Sequence, residues 1–186
     1  MKKILKQFGL IASAALLFTS AQAQTEKTVE VGGAAMYPSK NIVENAVNSK
    51  DHTTLVAAVK AAGLVETLQG EGPFTVFAPT NAAFDKLPQG TVATLLKPEN
   101  KAMLASILTY HVVAGKIDSK TLLEWIKKSG GTYAAKTVQG GELKFSMMNG
   151  KIMLTDEKGG MAHVTINDVY QKNGVIHVID TVVMPK

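Results

Sequence analysis

The sequence predicts an α+β fold, with helices in the first two thirds of the chain and strands in the last third. Apolar residues recur at helical spacing in several short segments between residues 42 and 126. From Gly131 onward the pattern changes to short β-rich runs separated by turn residues. The segments do not alternate as βαβ units, and this argues against a doubly wound parallel sheet.

The predicted helices are short and are bounded by capping or breaking residues. Two of them, over 42–47 and 55–62, precede the first strand, and Gly63 ends the second. Two more are predicted over 91–97 and 99–108, separated by Pro98. Asp118 or Ser119 opens a last helix, which Gly130 and Gly131 close. We expect only strands and turns after it.

A strand-to-helix corner is predicted around residue 79. Alternation places Phe74, Val76 and Ala78 on one face of a strand, with Thr75 and Phe77 on the other. Pro79 ends this strand because it has no backbone N–H for the sheet. Either Thr80 or Asn81 can then cap a helix that begins with Ala82-Ala83-Phe84.

Two Asn-Gly pairs predict hairpins in the strand-rich half. Asn149-Gly150 separates 143–148 from 151–155, and Asn173-Gly174 separates 164–170 from 175–183 as a type I′ turn would. The run 175–183 is apolar on both faces, as expected of a buried central strand. Pairing across the first turn predicts a core face formed by Leu143, Phe145, Met147, Ile152 and Leu154. The opposite face, with Met148 and Met153, is expected to lie outside the core.

The N-terminus has the form of an export signal. Lys2, Lys3 and Lys6 precede an apolar run over 8–18, and Ala21-Gln22-Ala23 follows as a cleavage site. This run is shorter than the roughly 20 residues that span a bilayer. We therefore expect residues 1–23 to be a signal peptide, with no stable membrane span after cleavage. Residues 24–38 show no sustained period and are expected to be a flexible segment.

Composition excludes several classes of function. The formal net charge is +5, but removal of the leader leaves 17 lysines against 15 acidic residues. The remaining lysines are scattered and arginine is absent, so no nucleic-acid partner is expected. There is no cysteine, and therefore no disulfide or thiolate metal site. We expect no cofactor, and a mature chain of this length forms one domain.

Three segments, in this order and spacing, resemble the fasciclin (FAS1) domain: 74–84 (FTVFAPTNAAF), 109–113 (TYHVV) and 173–185 (NGVIHVIDTVVMP). The resemblance covers about residues 38–186. It implies a single domain over 39–186, built as a wedge or sandwich of about seven strands with short helices packed at one side. It also implies a non-enzymatic function in cell adhesion or protein binding, in the periplasm or outside the cell.

Catalysis is not expected from the residues themselves. The sequence contains no nucleophile motif, HExxH zinc motif or P-loop, and its four histidines are isolated along the chain. His177 lies within an apolar strand, which favours a buried, hydrogen-bonded ring. Asp180 is a possible neighbour of this ring. The protein is thus expected not to be an enzyme.

The resemblance supplies four candidate partner-binding residues. In adhesion relatives, a tyrosine-histidine region and an Asp-Ile pair before the last block are implicated in integrin binding. The corresponding residues here are Tyr110, His111, Asp168 and Val169, with valine in place of isoleucine. Tyr110 and His111 begin a predicted strand, so their side chains are expected on opposite faces, one of them buried and hydrogen-bonded. A turn or strand-end role for Asp168 is the alternative.

A second function stays open: binding of a small molecule or metal ion in the periplasm. Met147, Met148, Met153 and Met161, with His163, have the soft donors that copper accepts. Lysines at 144 and 151 oppose a cation there, and methionine commonly fills irregular gaps in a core. We therefore expect no metal site. A concave apolar pocket with a few polar groups would favour the small-molecule function.

Overall fold

The computed structural model describes residues 26–186, and the predicted signal peptide lies outside this range. The helices are α1 (Ile42–Ala46), α2 (Thr53–Ala62), α3 (Val65–Gln69), α4 (Asn81–Asp85), α5 (Thr91–Leu95), α6 (Lys101–Tyr110) and α7 (Ser119–Lys128). The strands are β1 (Val29–Val31), β2 (Ala34–Met36), β3 (Phe74–Pro79), β4 (Val112–Ala114), β5 (Thr132–Lys136), β6 (Glu142–Met148), β7 (Lys151–Thr155), β8 (Met161–Gln171) and β9 (Gly174–Ile179).

Seven strands form one mixed sheet in the order β4-β3-β9-β8-β7-β6-β5. Neighbouring strands are antiparallel except β3 and β9, the second and third strands in this order, which run parallel. The sheet is nearly closed, because a bridge between Val113 and Thr137 joins β4 to the chain just after β5. The α+β architecture predicted from the sequence, with about seven strands in one sheet and short helices packed at one side, is confirmed.

Two groups of buried apolar side chains lie on the two faces of this sheet. The helix-side cluster packs α1 to α6 against β3, β8 and β9, and includes Val76, Ala78, Ile176 and Val178. The sheet-interior cluster lies inside the nearly closed sheet and takes residues from all seven strands and from α7. Alternation within β3 and β9 explains the division, since Phe77 faces the interior while Val76 and Ala78 face the helices.

The corner after β3 forms as predicted. The side chain of Thr80 accepts a hydrogen bond from the backbone N–H of Ala83 at 3.2 Å and caps α4. Asp118 likewise caps α7 through the N–H of Thr121 at 2.8 Å. Three helices precede β3, one more than expected. The additional helix is α3, which has five residues and only Leu68 buried. So short a segment leaves little apolar periodicity in the sequence.

One of the two predicted hairpin turns is correct. Asn149 and Gly150 have φ of 51° and 76°, as a type I′ turn requires, and Met148 pairs with Lys151. The other prediction is wrong: Gly174 already belongs to β9 and pairs with Gln171. The turn therefore consists of Lys172 and Asn173. A Cβ at Gly174 would collide with the carbonyl oxygen of Phe74, so glycine is needed there for close packing of β9 on β3.

The predicted pairing of β6 with β7 holds, but two methionines do not follow the predicted faces. Met147 is on the core face yet 42% exposed, because it lies near the tip of the hairpin, at the edge of the sheet-interior cluster to which its partner Ile152 belongs. Met153, expected outside the core, is buried. It pairs with Ser146 on one side and His163 on the other, so neighbouring strands cover it.

Residues 29–36 differ from the flexible segment expected over 24–38. They form the antiparallel hairpin β1-β2, whose residues Val31 and Met36 are buried in the helix-side cluster. Its turn glycine, Gly32, has φ of 59° and lies close to Ser49, and its carbonyl accepts a hydrogen bond from Lys50 N–H at 3.1 Å. Strands of three residues are too short for a recognisable alternation.

Candidate functional site

Tyr110 does not begin a strand, as the sequence suggested; it is the last residue of α6. Its side chain is fully buried in the sheet-interior cluster. The hydroxyl group donates to the carbonyl of Glu142 at 2.7 Å and accepts from the N–H of Glu157 at 3.2 Å. Burial raises the pKa of this phenol to about 12. Tyr110 therefore ties α6 to the β7–β8 loop and β6.

His111, the next residue, is also buried, although only one of the pair was expected to be. Its Nδ1 lies 2.8 Å from the carbonyl oxygen of Ile107, and Nε2 accepts from the N–H of Val183 at 3.2 Å. Both bonds together assign the proton to Nδ1. Burial lowers the pKa of His111 to about 4, so its ring is neutral at pH 7.

Asp168 lies where the register of β8 against β9 becomes irregular, between Ile166 and Val169. Its φ of 58° is in the left-handed region, which short polar residues tolerate better than most. The carboxylate accepts hydrogen bonds from the N–H of Ser119 at 2.7 Å, from the Ser119 hydroxyl, and from the Asn167 amide at 2.8 Å. This residue therefore fixes β8 to the first turn of α7.

The four carried-over residues do not form one surface. Val169 is 1% exposed, and like Tyr110 and His111 it can contact a partner only if the fold opens. His111 and Val169 instead line the same cavity on the helix side, and Tyr110 packs in the sheet interior. Of the four, Asp168 alone is partly accessible. The expectation that Tyr110, His111 and Val169 contact a partner directly is thus corrected, because all three side chains are buried.

An exposed group that the sequence did not single out surrounds Asp168. The bulge patch consists of Lys116, Asp118, Asn167, Asp168 and Tyr170. The Tyr170 ring is 38% exposed, with the Lys116 ammonium 5.0 Å from its centroid. Its hydroxyl donates to Asp118 at 3.3 Å. The hydrogen bond from Thr121 holds the Asp118 pKa below its usual value, so this carboxylate stays charged. The sequence alone placed Tyr170 in a predicted strand and gave no indication that it belongs to a surface site.

His177 and Asp180 are not neighbours in the way the sequence allowed. The buried His177 ring stacks on Phe77, with its Nε2 2.9 Å from the Ile117 carbonyl and its Nδ1 accepting from Asp168 N–H. Asp180 instead accepts from the N–H of His163 at 2.8 Å. The hydrogen-bonded core role expected of His177 agrees with these contacts. In residues 26–186, no group of three or more His, Asp or Glu side chains is arranged to hold a metal ion.

A cavity on the helix side is the other candidate site. It lies between helices α1 to α3 and the sheet, has a volume of about 80 Å³, and is lined almost entirely by apolar side chains. We call it the helix-side cavity; its walls include Val59, Leu68 and Ile176. Much of its lining comes from residues before β3, including the two helices predicted over 42–47 and 55–62. The cavity itself could not be predicted, because it depends on how these helices pack against the sheet. Over the described range, no helix has the length and apolar character needed to cross a membrane.

Comparisons with known proteins identify the family. The model of the Fasciclin domain matches residues 50–185. Protein sll1483 of Synechocystis sp. is 50% identical over 161 residues, covering 87% of this chain and 82% of that protein. The cell surface glycolipoprotein MPB83 of Mycobacterium bovis is 37% identical over 160 residues, covering 83% of this chain and 64% of that protein.

A solved structure supports the same fold. The FAS1 domain pair of the insect cell adhesion molecule Fasciclin I matches with a TM-score of 0.69 at 17% sequence identity. The match covers 84% of this chain and 57% of that one, so the chain corresponds to part of that domain pair. On the family match and the shared fold, this chain belongs to the fasciclin domain family.

Proposed function

We propose that this protein is a non-enzymatic protein-binding module of the adhesion type, acting at the cell envelope or outside the cell. Fasciclin domains are adhesion-type modules that bind proteins, and they are generally non-enzymatic. Two similar proteins are described as a cell adhesion molecule and a cell surface glycolipoprotein. The export signal expected over residues 1–23 is consistent with such a location.

The observation that carries this proposal is the bulge patch. Tyrosine is enriched among residues that dominate binding energy, and the Tyr170 ring is held on the surface by Lys116 on one side and Asp118 on the other. A preformed aromatic side chain loses little conformational entropy when it contacts a partner. Because Asp168 is already bonded to Ser119, we assign it a positioning role for this patch.

The polar cluster around Asp180 gives no support to an enzymatic alternative. Asp180 contacts His163 at 3.5 Å and Lys86 at 3.9 Å, and it accepts from the Thr181 hydroxyl at 3.0 Å. In a nucleophilic triad the histidine must contact the hydroxyl group whose proton it accepts. Here the histidine and the threonine both contact the aspartate instead. This arrangement is that of a partly exposed ion pair.

The structure offers a matched pair of variants for the test. Tyr37 is 39% exposed and has the Lys40 ammonium 4.8 Å from its ring centroid, nearly the same geometry as Tyr170 with Lys116. The test variant is Lys116→Ala with Tyr170→Ala, and the control is Lys40→Ala with Tyr37→Ala. Both remove one exposed cation–π pair, and the test variant also removes the hydrogen bond from Tyr170 to Asp118.

The experiment is a crosslinking pull-down with purified protein against envelope fractions and extracellular matrix proteins. We expect a protein partner that the wild type and the control capture and the test variant loses, with circular dichroism confirming that all three fold. A partner kept by the test variant would place the interface elsewhere. Capture of no envelope or matrix protein by the wild type, at partner concentrations up to about a millimolar, would refute the adhesion proposal.

A further inference from the structure

The dipeptide Asn-Gly occurs twice in the chain, and the fold places the two copies in opposite surroundings. Asn149 and Gly150 form the turn between β6 and β7, and both residues are exposed. Asn173 is 5% exposed, and Gly174 already belongs to β9. The same local sequence thus lies once at a hairpin tip and once inside the domain.

An asparagine followed by glycine can react with its own backbone. When the nitrogen of the next residue attacks Cγ of the asparagine side chain, a five-membered imide ring closes. Glycine has no Cβ to shield its nitrogen, so this approach is least hindered when glycine follows. The reaction further requires that the side-chain amide can rotate toward the nitrogen, and that neither group is held by other contacts.

At the hairpin tip this approach is unobstructed. A Cβ added to Gly150 would meet no atom within 4 Å, so the space around this residue is open. Within residues 26–186, neither the Asn149 amide nor the Gly150 N–H has a hydrogen-bond partner. The turn must open locally before Cγ reaches the nitrogen, and exposed loop tips are among the segments that open most readily.

The second copy is held in place by the fold. Oδ1 of Asn173 accepts from the N–H of Ile42 at 3.0 Å. Its Nδ2 donates to the carbonyls of Leu68 and Gly70, both at 2.8 Å. Gly174 pairs with β3 on one side and with β8 on the other. Ring closure at Asn173 therefore requires the loss of these hydrogen bonds and the opening of the sheet at the start of β9.

We propose that Asn149 is a site of spontaneous deamidation in the folded protein, and that the fold protects Asn173 from the same reaction. The Gly150 nitrogen loses its proton and bonds to Cγ of Asn149, while the Cγ–Nδ2 bond breaks and Nδ2 leaves as ammonia. Water then opens the imide. Opening at Cγ gives aspartate, whereas opening at the main-chain carbonyl gives isoaspartate, in which the backbone runs through Cβ and Cγ.

The two products affect the hairpin differently. Aspartate is accepted at the first position of a type I′ turn as asparagine is, so this product keeps the pairing of Met148 with Lys151 and adds a negative charge. Isoaspartate lengthens the backbone of a two-residue turn whose length sets the register of the strands. We expect this product to break the Met148–Lys151 pair. The modification thus changes both the charge and the shape of a tip that is separate from the bulge patch.

The test is mass spectrometry of tryptic peptides from purified protein that has been incubated in mildly alkaline buffer. Cleavage after lysine places the two copies in separate peptides, 145–151 (FSMMNGK) and 173–186 (NGVIHVIDTVVMPK). In the folded protein we expect deamidation of the first peptide to be at least about tenfold faster, because the second requires local unfolding. In urea that unfolds the protein, the two rates should become similar.

Two variants sharpen the test. In Asn149→Gln the longer side chain would have to close a six-membered ring, so peptide 145–151 should keep its mass during the incubation. Asn149→Asp reproduces the aspartate product and should unfold at the same temperature as the wild type. Reversed-phase chromatography separates the aspartate and isoaspartate forms of peptide 145–151, and both should appear.

Three results would overturn the proposal. The first is deamidation of peptide 145–151 in the folded protein at a rate no faster than that of peptide 173–186. The second is an unchanged rate in Asn149→Gln, which would mean that water hydrolyses the amide directly and no imide forms. The third is aspartate without any isoaspartate, since the imide opens at both of its carbonyl groups.

Discussion

Each face of the sheet buries a histidine, His177 on the interior side and His52 on the helix side, and these two rings are bonded in contrasting ways. On the interior side, His177 uses both ring nitrogens and stacks on Phe77. On the helix side, His52 uses one nitrogen and lies beside a cavity. Strands pack along continuous ladders, whereas the helix side is assembled from segments as short as five residues. Such segments fill space less completely, and the helix-side cavity lies where they pack against the sheet.

The largest predicted effect compares the same substitution on the two sides. Leu154→Ala removes a side chain that is fully buried in the sheet interior, and we expect a loss of about 4 kcal/mol in the free energy of unfolding. Leu68→Ala, in the wall of the existing cavity, should cost about 2 kcal/mol because fewer contacts are lost. Urea denaturation measures both. Equal costs would show that the helix side is packed as tightly as the interior.

The second prediction concerns acid. The pKa of His111 is about 4 in the folded protein and about 6.5 in the unfolded chain, so the unfolded chain binds the extra proton between these values. The contribution of His111 to the free energy of unfolding is therefore fully present above pH 6.5, and it is lost as the pH decreases toward 4. The pKa difference corresponds to about 3 kcal/mol. Urea denaturation at pH 7, 5.5 and 4 measures the loss.

A variant separates this histidine from the other titrating groups. His111→Gln keeps a neutral polar side chain, so the decrease in stability between pH 6.5 and 4 should become smaller. His163→Gln, at a partly exposed histidine, is the control and should leave most of the decrease in place. A decrease as steep in His111→Gln as in the wild type would mean that His111 is not the group responsible.

The third prediction tests the difference between paired and unpaired rings. His177→Leu leaves the Ile117 carbonyl and the Asp168 N–H without partners, and should cost about 2 kcal/mol. His52→Leu deprives Ser49 of its acceptor but also removes the unpaired Nε2, so the net cost should be about 1 kcal/mol or less. Thermal unfolding of both variants tests this order. A larger loss for His52→Leu would indicate that Nε2 has a partner after all.

The smallest effect is expected on the surface. Tyr170→Ala and Tyr37→Ala should each change the free energy of unfolding by no more than about 0.5 kcal/mol, because both rings are more than a third exposed. Differential scanning calorimetry can check this. A marked loss for Tyr170→Ala alone would give the ring a structural role and weaken its use as a probe of binding.

Sequence reasoning was most successful where a local pattern determines the structure. The alternation in β3, the Thr80 cap and the Asn149-Gly150 turn depend on neighbouring residues, and all three are found in the structure. The family resemblance then supplied the fold. Neither source indicated the hairpin β1-β2, because its residues are ordered by contacts with the helix-side cluster and not by their own pattern.

The candidate site was less predictable because burial depends on tertiary packing. Helix α6 continues for two residues beyond the predicted helix, to Tyr110, and this changes the direction of both Tyr110 and His111. Val169 follows a residue in the left-handed conformation, which disturbs the alternation of β8. Tyr170 gains its interest from contacts with Lys116 and Asp118, which are far away in the sequence. No spacing in one sequence reveals such contacts.

The position of β9 has a consequence for how the chain reaches its final state. This strand, residues 174–179, lies between β3 and β8, and its partner β3 precedes it by about a hundred residues. Without it, the two parts of the sheet are joined through the bridge between Val113 and Thr137. Pairing of β9 with β3 over so long a separation in the sequence is slow. A chain still emerging from the ribosome therefore has an incomplete sheet. The sheet, and with it the two clusters on its faces, can be completed only after residues 174–179 have been synthesised.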